Sequence, residues 1–358
     1  MNKQLQLHII GGFLGSGKTT AIQQACRYLL QQEIRVAVVT NDQGIHLVDN
    51  DFFTALSIPA EQVVNGCFCC RFPDLENRIL SLSAQYQPQV IFAESVGSCT
   101  DLIATVYKPF QQYHPDYTVT ISVFADIRLL HLLLSNASVF DEEVRYIYFK
   151  QLEEASLIVL SKVDLLSGEE LNEATQLINK KYADKILLYQ DSFNESHMQT
   201  WLNMLQENTG VTEQPSLAID YNTYGKGEAL LGWLDQELEI TSLTTGASQY
   251  AIELVQLMSQ TIRQQNLPIG HLKFLLNQKT KISYTTIAEN EWPVLADETN
   301  SNTASLLINA RVQTDPELLH EIVQSAISFI QQKYNCIIQT LHQQAFQPGF
   351  PRPTYRMA

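Results

Sequence analysis

The chain has 358 residues, enough for roughly two domains of about 150 residues each. Lys and Arg number 23 against 38 Asp and Glu, a formal charge of −15, which argues against a basic nucleic-acid face and against electrostatic docking on an anionic membrane. Apolar residues at 45% and charged residues at 17% describe a folded chain, and no apolar run reaches the length of a membrane span.

In chain order, Leu5–Ile10 is a short apolar run, too short for a secretory signal, and stops at Gly11-Gly12. A helical pattern covers about residues 18–32. A β-branched run, residues 34–39, then ends in Thr40-Asn41-Asp42. Further apolar runs fall at 90–93, 118–125, 157–160 and 185–189, with helical stretches between them. Continuous apolar strands alternating with helices imply an α/β domain with a mostly parallel sheet, placed at residues 1–222. Composition turns to Gly, Thr, Asn and Pro near residues 208–227, a boundary. Beyond it the pattern gives strand (228–241), helix (248–266), strand (268–277), strand (281–288), strand (304–312), helix (315–333) and strand (335–343). That order suggests a smaller α+β, ferredoxin-like domain over residues 228–345, followed by a Pro-rich tail, 346–358.

Gly12-Phe13-Leu14-Gly15-Ser16-Gly17-Lys18-Thr19 matches G-x-x-x-x-G-K-[ST] between a strand and a helix. This is a P-loop NTPase signature. Backbone N–H groups of Gly12, Gly15, Ser16 and Gly17, with Thr20 at the helix start, suit phosphate oxygens. Lys18 neutralises the β/γ-phosphates and Thr19 ligates Mg²⁺. Residues 90–93 deliver Glu94 to the end of a strand as the second Mg²⁺ residue, and Gly97 can offer its N–H to the γ-phosphate. Ser161-Lys162-Val163-Asp164 follows a late strand and looks like the guanine-reading N-K-x-D element, with Ser161 in place of Asn. The Asp164 carboxylate can accept from guanine N1–H and its exocyclic amine, a pattern adenine does not offer.

Six cysteines stand at 26, 67, 69, 70, 99 and 336. Three of them fall within Cys67-Phe68-Cys69-Cys70, a crowding that suits a thiophilic ion or redox chemistry better than a disulfide scaffold. A reducing, cytoplasmic compartment is the expectation. Cys26, Cys99 and Cys336 read as packing residues, and His271 and Lys273 as a solvated strand face.

Five motifs now stand in one order: GGFLGSGKTT (11–20), NDQGIHLVD (41–49), GCFCC (66–70), ESVG (94–97) and SKVD (161–164). Together they make the chain similar to the CobW-like family of P-loop GTPases. The resemblance implies binding and slow hydrolysis of GTP with Mg²⁺, catalytic roles for Lys18, Thr19 and Glu94, and a transition metal, Zn²⁺ or Co²⁺, held by Cys67, Cys69 and Cys70. Asp42 stands at a family Glu, one methylene shorter, and would act as a ligand directly or through water. Implied partners are a client metalloprotein or a corrinoid-dependent enzyme, with a homodimer as one assembly and neither nucleic acid nor membrane involved. Competing readings are an ATP-using small-molecule kinase and a zinc- or redox-sensing thiol protein.

Overall fold

The structure, a computed structural model, describes residues 5–44, 53, 57–207, 215–243, 245–287 and 301–358. The chain divides into two compact units. The first is built from residues up to Gln43, from Phe53–Gly227 and from Pro351–Ala358; the second comes mainly from Glu228–Phe350.

The first unit holds seven parallel strands: β1 (Gln6–Gly12), β2 (Val36–Asn41), β3 (Ala60–Val63), β4 (Val90–Glu94), β5 (Thr118–Asp126), β6 (Leu157–Ser161) and β7 (Ile186–Gln190). Their order is β3-β2-β4-β1-β5-β6-β7. β1 lies at the centre because after it the chain first builds one side of the sheet and then the other. Its carboxyl end is therefore a topological switch point, where α/β sheets place ligands. The connecting helices are α1 (Lys18–Gln31), α2 (Phe72–Tyr86), α3 (Lys108–Tyr113), α4 (Ile127–Leu134), α5 (Glu142–Glu154), α6 (Gly168–Lys181) and α7 (Glu195–Gln206); α8 (Tyr221–Ala229) follows. Trp201 of α7 is fully buried against Phe92 and Phe124, anchoring one face of the sheet together with Ile22 and Ala25 of α1. The pattern reading missed β3, a four-residue strand whose half-buried Ala60, Glu61 and Gln62 carry no apolar run.

The second unit is a five-stranded antiparallel sheet, β8 (Leu231–Thr241), β9 (Ile269–Leu276), β10 (Thr280–Tyr284), β11 (Thr303–Gln313) and β12 (Ile337–Phe346), in the order β10-β9-β11-β8-β12. The helices α9 (Ala247–Gln264) and α10 (Pro316–Tyr334) share a core with alternate strand residues such as Leu234, Leu238, Phe274 and Ile308. Without β10 the order is that of the ferredoxin-like β-α-β-β-α-β arrangement. α10 starts as its sequence indicates, with the Asp315 side chain accepting from the Glu317 N–H and Pro316 in the first turn.

His271 is buried, not solvated as its alternating pattern suggests, and Lys273 is half-buried. β9 lies between β10 and β11, and His271 stands on the sheet face opposite Leu272 and Phe274. The face turned away from α9 and α10 also carries the buried Trp233, Asp235, Asn309 and Arg311. Arg311 pairs with Asp235 at 2.7 Å, both wholly buried, and its guanidinium lies 3.9 Å from the Trp233 ring centre.

Candidate functional site

The phosphate loop turns between β1 and α1 on three left-handed glycines, Gly12, Gly15 and Gly17. Gly12 has φ 127°, and a Cβ there would fall 2.2 Å from the Phe124 carbonyl oxygen, so only glycine lets β1 turn this close to β5. Lys18 is buried and donates to the carbonyls of Gly12 (2.7 Å) and Phe13 (3.1 Å), which holds its ammonium across the loop. The Thr19 hydroxyl donates to Glu94 Oε1 at 2.8 Å. β4 brings Glu94 level with Ile10 of β1 and Thr40 of β2, so Glu94 and Thr19 meet at the carboxyl end of the sheet.

Gly97 packs directly on the phosphate loop. A Cβ at this position would lie 2.7 Å from the backbone nitrogen of Leu14. The loop after β4 is held from behind by the buried Gln151 of α5, which donates to the carbonyls of Gly97 (3.0 Å) and Cys99 (2.8 Å). No local motif marks Gln151, because its partners lie more than fifty residues away.

Ser161 and Lys162 belong to the same end of the sheet. The Ser161 hydroxyl lies 2.7 Å from the Ser16 carbonyl and 3.2 Å from that of Ala125, joining β6 to the phosphate loop. Lys162 donates to the Gly15 carbonyl at 2.6 Å and pairs with Asp126 at 2.9 Å. Its φ of 64° is a conformation that a lysine keeps only where the surroundings enforce it. Burial pushes the Asp126 carboxyl up, but Lys162 and Arg128 outweigh burial and leave it below its ordinary range. Asp126, unnoticed in the sequence, therefore fixes the lysine. Asp164 stands exposed on the short turn Val163–Leu165 that follows.

The cysteines lie on the turn between β3 and α2. Asn65 and Gly66, both left-handed, reverse the chain, and the Cys67 carbonyl accepts from the N–H groups of Cys70 and Arg71 to start a helical turn. Asn41 at the end of β2 clamps this turn. Its amide donates to the carbonyls of Val63 (3.0 Å) and Gly66 (2.7 Å), and its oxygen accepts from the Phe68 N–H (2.9 Å). The Cys67 and Cys69 sulfurs touch at 2.7 Å, and Cys70 lies 3.8 Å from Cys69. Cys99, read from the sequence as a packing residue, places its sulfur 3.7 Å from that of Cys69. The sulfurs of Cys67, Cys69 and Cys99 all fall within 4.8 Å of one another, and among the described residues no other such group of potential metal ligands occurs. Cys70 and Asp42, both carried as candidate ligands, are not part of that group; residues 45–49 of the Asp42 motif lie outside the described residues. Contacts with the Cys67, Cys70 and Cys99 sulfurs, with burial added, hold the Cys69 thiol well above its ordinary pKa.

Residues of the tail reach this turn. The Arg352 N–H donates to the Cys70 sulfur at 3.2 Å, the Thr354 N–H to the Cys69 carbonyl at 2.8 Å, and the Thr354 hydroxyl to the Cys70 carbonyl at 3.1 Å. Tyr355 packs edge-on against Phe72, and Arg356 pairs with Asp101 at 2.7 Å. Asp101 also accepts from the Tyr221 hydroxyl at 2.7 Å. Nothing in the sequence pattern of a Pro-rich segment announces these contacts.

A donor set of three or four clustered thiols suits a thiophilic ion, and the Thr19–Glu94 pair suits a hard one. No helix of the described residues is long and apolar enough to cross a membrane.

Known proteins are similar to parts of this chain. The zinc chaperone YjiA of Escherichia coli (strain K12) is 26% identical over 189 residues, covering 48% of this chain and 54% of that protein. The zinc chaperone CobW of Sinorhizobium sp is 28% identical over 203 residues, covering 49% and 56%. The chain thus spans about half the length of the curated relatives it matches. The solved HypB of Helicobacter pylori, in complex with nickel, aligns with a TM-score of 0.43 and 16% identity, covering 61% of this chain and 93% of that one. A family model described as the CobW/HypB/UreG nucleotide-binding domain matches residues 6–188, just over half of the chain. With its phosphate loop at the centre of the parallel sheet, the chain belongs to the CobW/HypB/UreG family through its nucleotide-binding domain.

Proposed function

We propose that the chain binds and slowly hydrolyses GTP, and uses the nucleotide to control a transition metal that it delivers to a client metalloprotein. The observation that carries this reading is the location of the thiol cluster. Its sulfurs belong to the same unit as the phosphate loop, and Asn41, the last residue of β2, ties the cysteine turn to the strand beside β4. That the matched relatives are named zinc chaperones supports zinc as the cargo.

Each residue then has a role. Lys18 neutralises the β/γ-phosphates, the backbone of residues 12–20 cradles them, and Thr19 with Glu94 would hold Mg²⁺. Bound Mg²⁺ supplies charge neutralisation as the γ-phosphoryl leaves. Gly97, packed against Leu14, would offer its backbone N–H to the γ-phosphate. Ser161, Lys162 and Asp164 receive the guanine, with Lys162 pre-set by Asp126. Cys67, Cys69 and Cys70 hold the metal, which is substrate here.

The test is a metal titration in two nucleotide states. A chaperone needs about 1–3 kcal/mol of coupling, so Zn²⁺ affinity should differ by about 5- to 150-fold between GDP and a non-hydrolysable GTP analogue. Equal affinities would reject controlled delivery. Equal affinities for GTP and ATP would reject the guanine site and favour the kinase reading. The 2.7 Å contact of Cys67 and Cys69 sulfurs favours a second reading, a redox dithiol. Reversible loss of two thiols under mild oxidation, without metal uptake by the reduced protein, would establish that one instead.

A further inference from the structure

We propose that Cys99 is a fourth thiolate ligand, closing a four-sulfur site with Cys67, Cys69 and Cys70 for a thiophilic ion such as Zn²⁺ or Co²⁺. This deepens the metal-handling reading above and rests on it.

Distance favours it first. Zinc–sulfur bonds of about 2.3 Å at tetrahedral angles set the sulfurs about 3.8 Å apart. Two edges of such a tetrahedron are already present, Cys69 to Cys99 at 3.7 Å and Cys69 to Cys70 at 3.8 Å. Cys67 sits too close to Cys69, at 2.7 Å. Opening that edge by about 1 Å takes a side-chain rotation, since the sulfurs of Cys67, Cys69 and Cys99 already share one 4.8 Å cluster.

Direction points the same way. Cys67, Cys69 and Cys70 come from one helical turn, and ligands from a single turn leave one side of an ion uncovered. Cys99 arrives from a different segment, the loop after β4, and its side chain is wholly buried. The side it covers is therefore closed to water. A shell of four thiolates with no open position is the arrangement of a holding site, whereas three thiolates and an open position allow exchange.

The loop that carries Cys99 also has a mechanical link to the nucleotide site. Gly97 rests against the Leu14 backbone, and Gln151 grips the carbonyls of Gly97 and Cys99 together. The segment from Gly97 to Cys99 is thus one short piece of chain with the phosphate loop at one end and a sulfur at the other. A shift of this piece with the γ-phosphate moves one ligand while Asn41 keeps the other three in place. Cargo is held by four sulfurs in one state and by three in the other.

The bland alternative is that Cys99 is a small buried hydrophobe. Two measurements on the whole 358-residue chain decide. In the first, Co²⁺ is titrated into the wild type, Cys99→Ser, Cys99→Ala and, as a control, Cys336→Ser, whose residue lies in the second unit. Losing one of four thiolates should lower the sulfur-to-cobalt charge-transfer absorption by about a quarter and weaken binding by about tenfold or more. Cys336→Ser should match the wild type. In the second, zinc X-ray absorption on the wild-type protein should return four sulfurs at about 2.3 Å, a result that needs no variant to fold. Three sulfurs with one lighter ligand, or an unchanged cobalt spectrum and affinity in both Cys99 variants, would overturn the proposal and leave the three-cysteine reading standing. A wild-type protein that takes up neither ion would overturn the metal-handling reading, and this proposal with it.

Discussion

Glu154, the last residue of α5, is wholly buried where it accepts from the Thr100 hydroxyl (3.3 Å) and the Ile103 N–H (3.2 Å). Burial, with Asp101 adding repulsion, pushes its carboxyl up to about 8. The folded protein therefore keeps a proton on Glu154 that the unfolded chain releases near 4.5. Between those values folding takes up a proton, so this group makes stability fall as pH rises from about 5 to about 8. Each tenfold gain in proton affinity on folding is worth at most about 1.4 kcal/mol. Glu154→Gln should flatten that slope and unfold at higher denaturant than the wild type at pH 8, with little difference at pH 5; equal slopes in denaturant titrations at the two pH values would refute this. Asn41 offers a second test. Asn41→Ala strands the Gly66 carbonyl and the Phe68 N–H, a loss of about 1–3 kcal/mol each if left unsatisfied. We expect Zn²⁺ affinity to drop while GTP affinity, measured by calorimetry, stays within about twofold, because the phosphate loop is untouched. At this scale the phosphate loop was legible in the sequence because its chemistry is local: glycines, a lysine and a hydroxyl in eight consecutive positions. Asn41 was visible only as the neighbour of Asp42, since what it clamps returns about 25 residues later. Cys99 carried no signal because it stands alone in the sequence and meets the other thiols only through the fold.

The loop after β4 binds several of these residues into one element. Gly97→Ala would force a Cβ to within 2.7 Å of the Leu14 backbone, so the loop must lift away from the phosphates. GTP hydrolysis should fall by at least tenfold with GDP affinity far less affected, and an unaltered single-turnover rate would show that Gly97 does not follow the γ-phosphate. In the second unit the Arg311–Asp235 pair spans β11 and β8 with both groups out of water. Asp235→Ala removes a carboxylate partner of a buried guanidinium and should cost up to about 3–5 kcal/mol in chemical denaturation. The apolar strands β1, β2, β4, β5 and β6 could be read directly, because near-continuous burial on both faces leaves an almost uninterrupted hydrophobic run. β9 shows the limit. Its alternation of His271 and Lys273 with leucines looks like an ordinary wet face, whereas in the fold that face also carries Trp233, Asp235, Asn309 and Arg311 and the histidine is buried.

The order of the elements along the whole chain announced a parallel sheet followed by an antiparallel one, since helix–strand alternation gives way to strand pairs. What the order could not convey is that residues Pro351–Ala358 belong to the first unit, on the far side of the second in sequence. Removing residues 351–358 should lower Zn²⁺ affinity and free Cys70 to react faster with thiol reagents, while GTP affinity is retained; an unchanged alkylation rate at Cys70 would count against the tail contact. The same contact sets a timetable. Arg352 lies 282 residues beyond the sulfur to which it donates. At about 5–20 residues per second, the cysteine turn is synthesised roughly 14–56 s before its N–H donor exists. During that interval the thiols are already made and still uncovered, open to whatever metal or oxidant the surroundings hold. The second unit must be synthesised before the tail can seal the cysteine turn, so a chain that stalls within β8 to β12 carries the thiols without their cover.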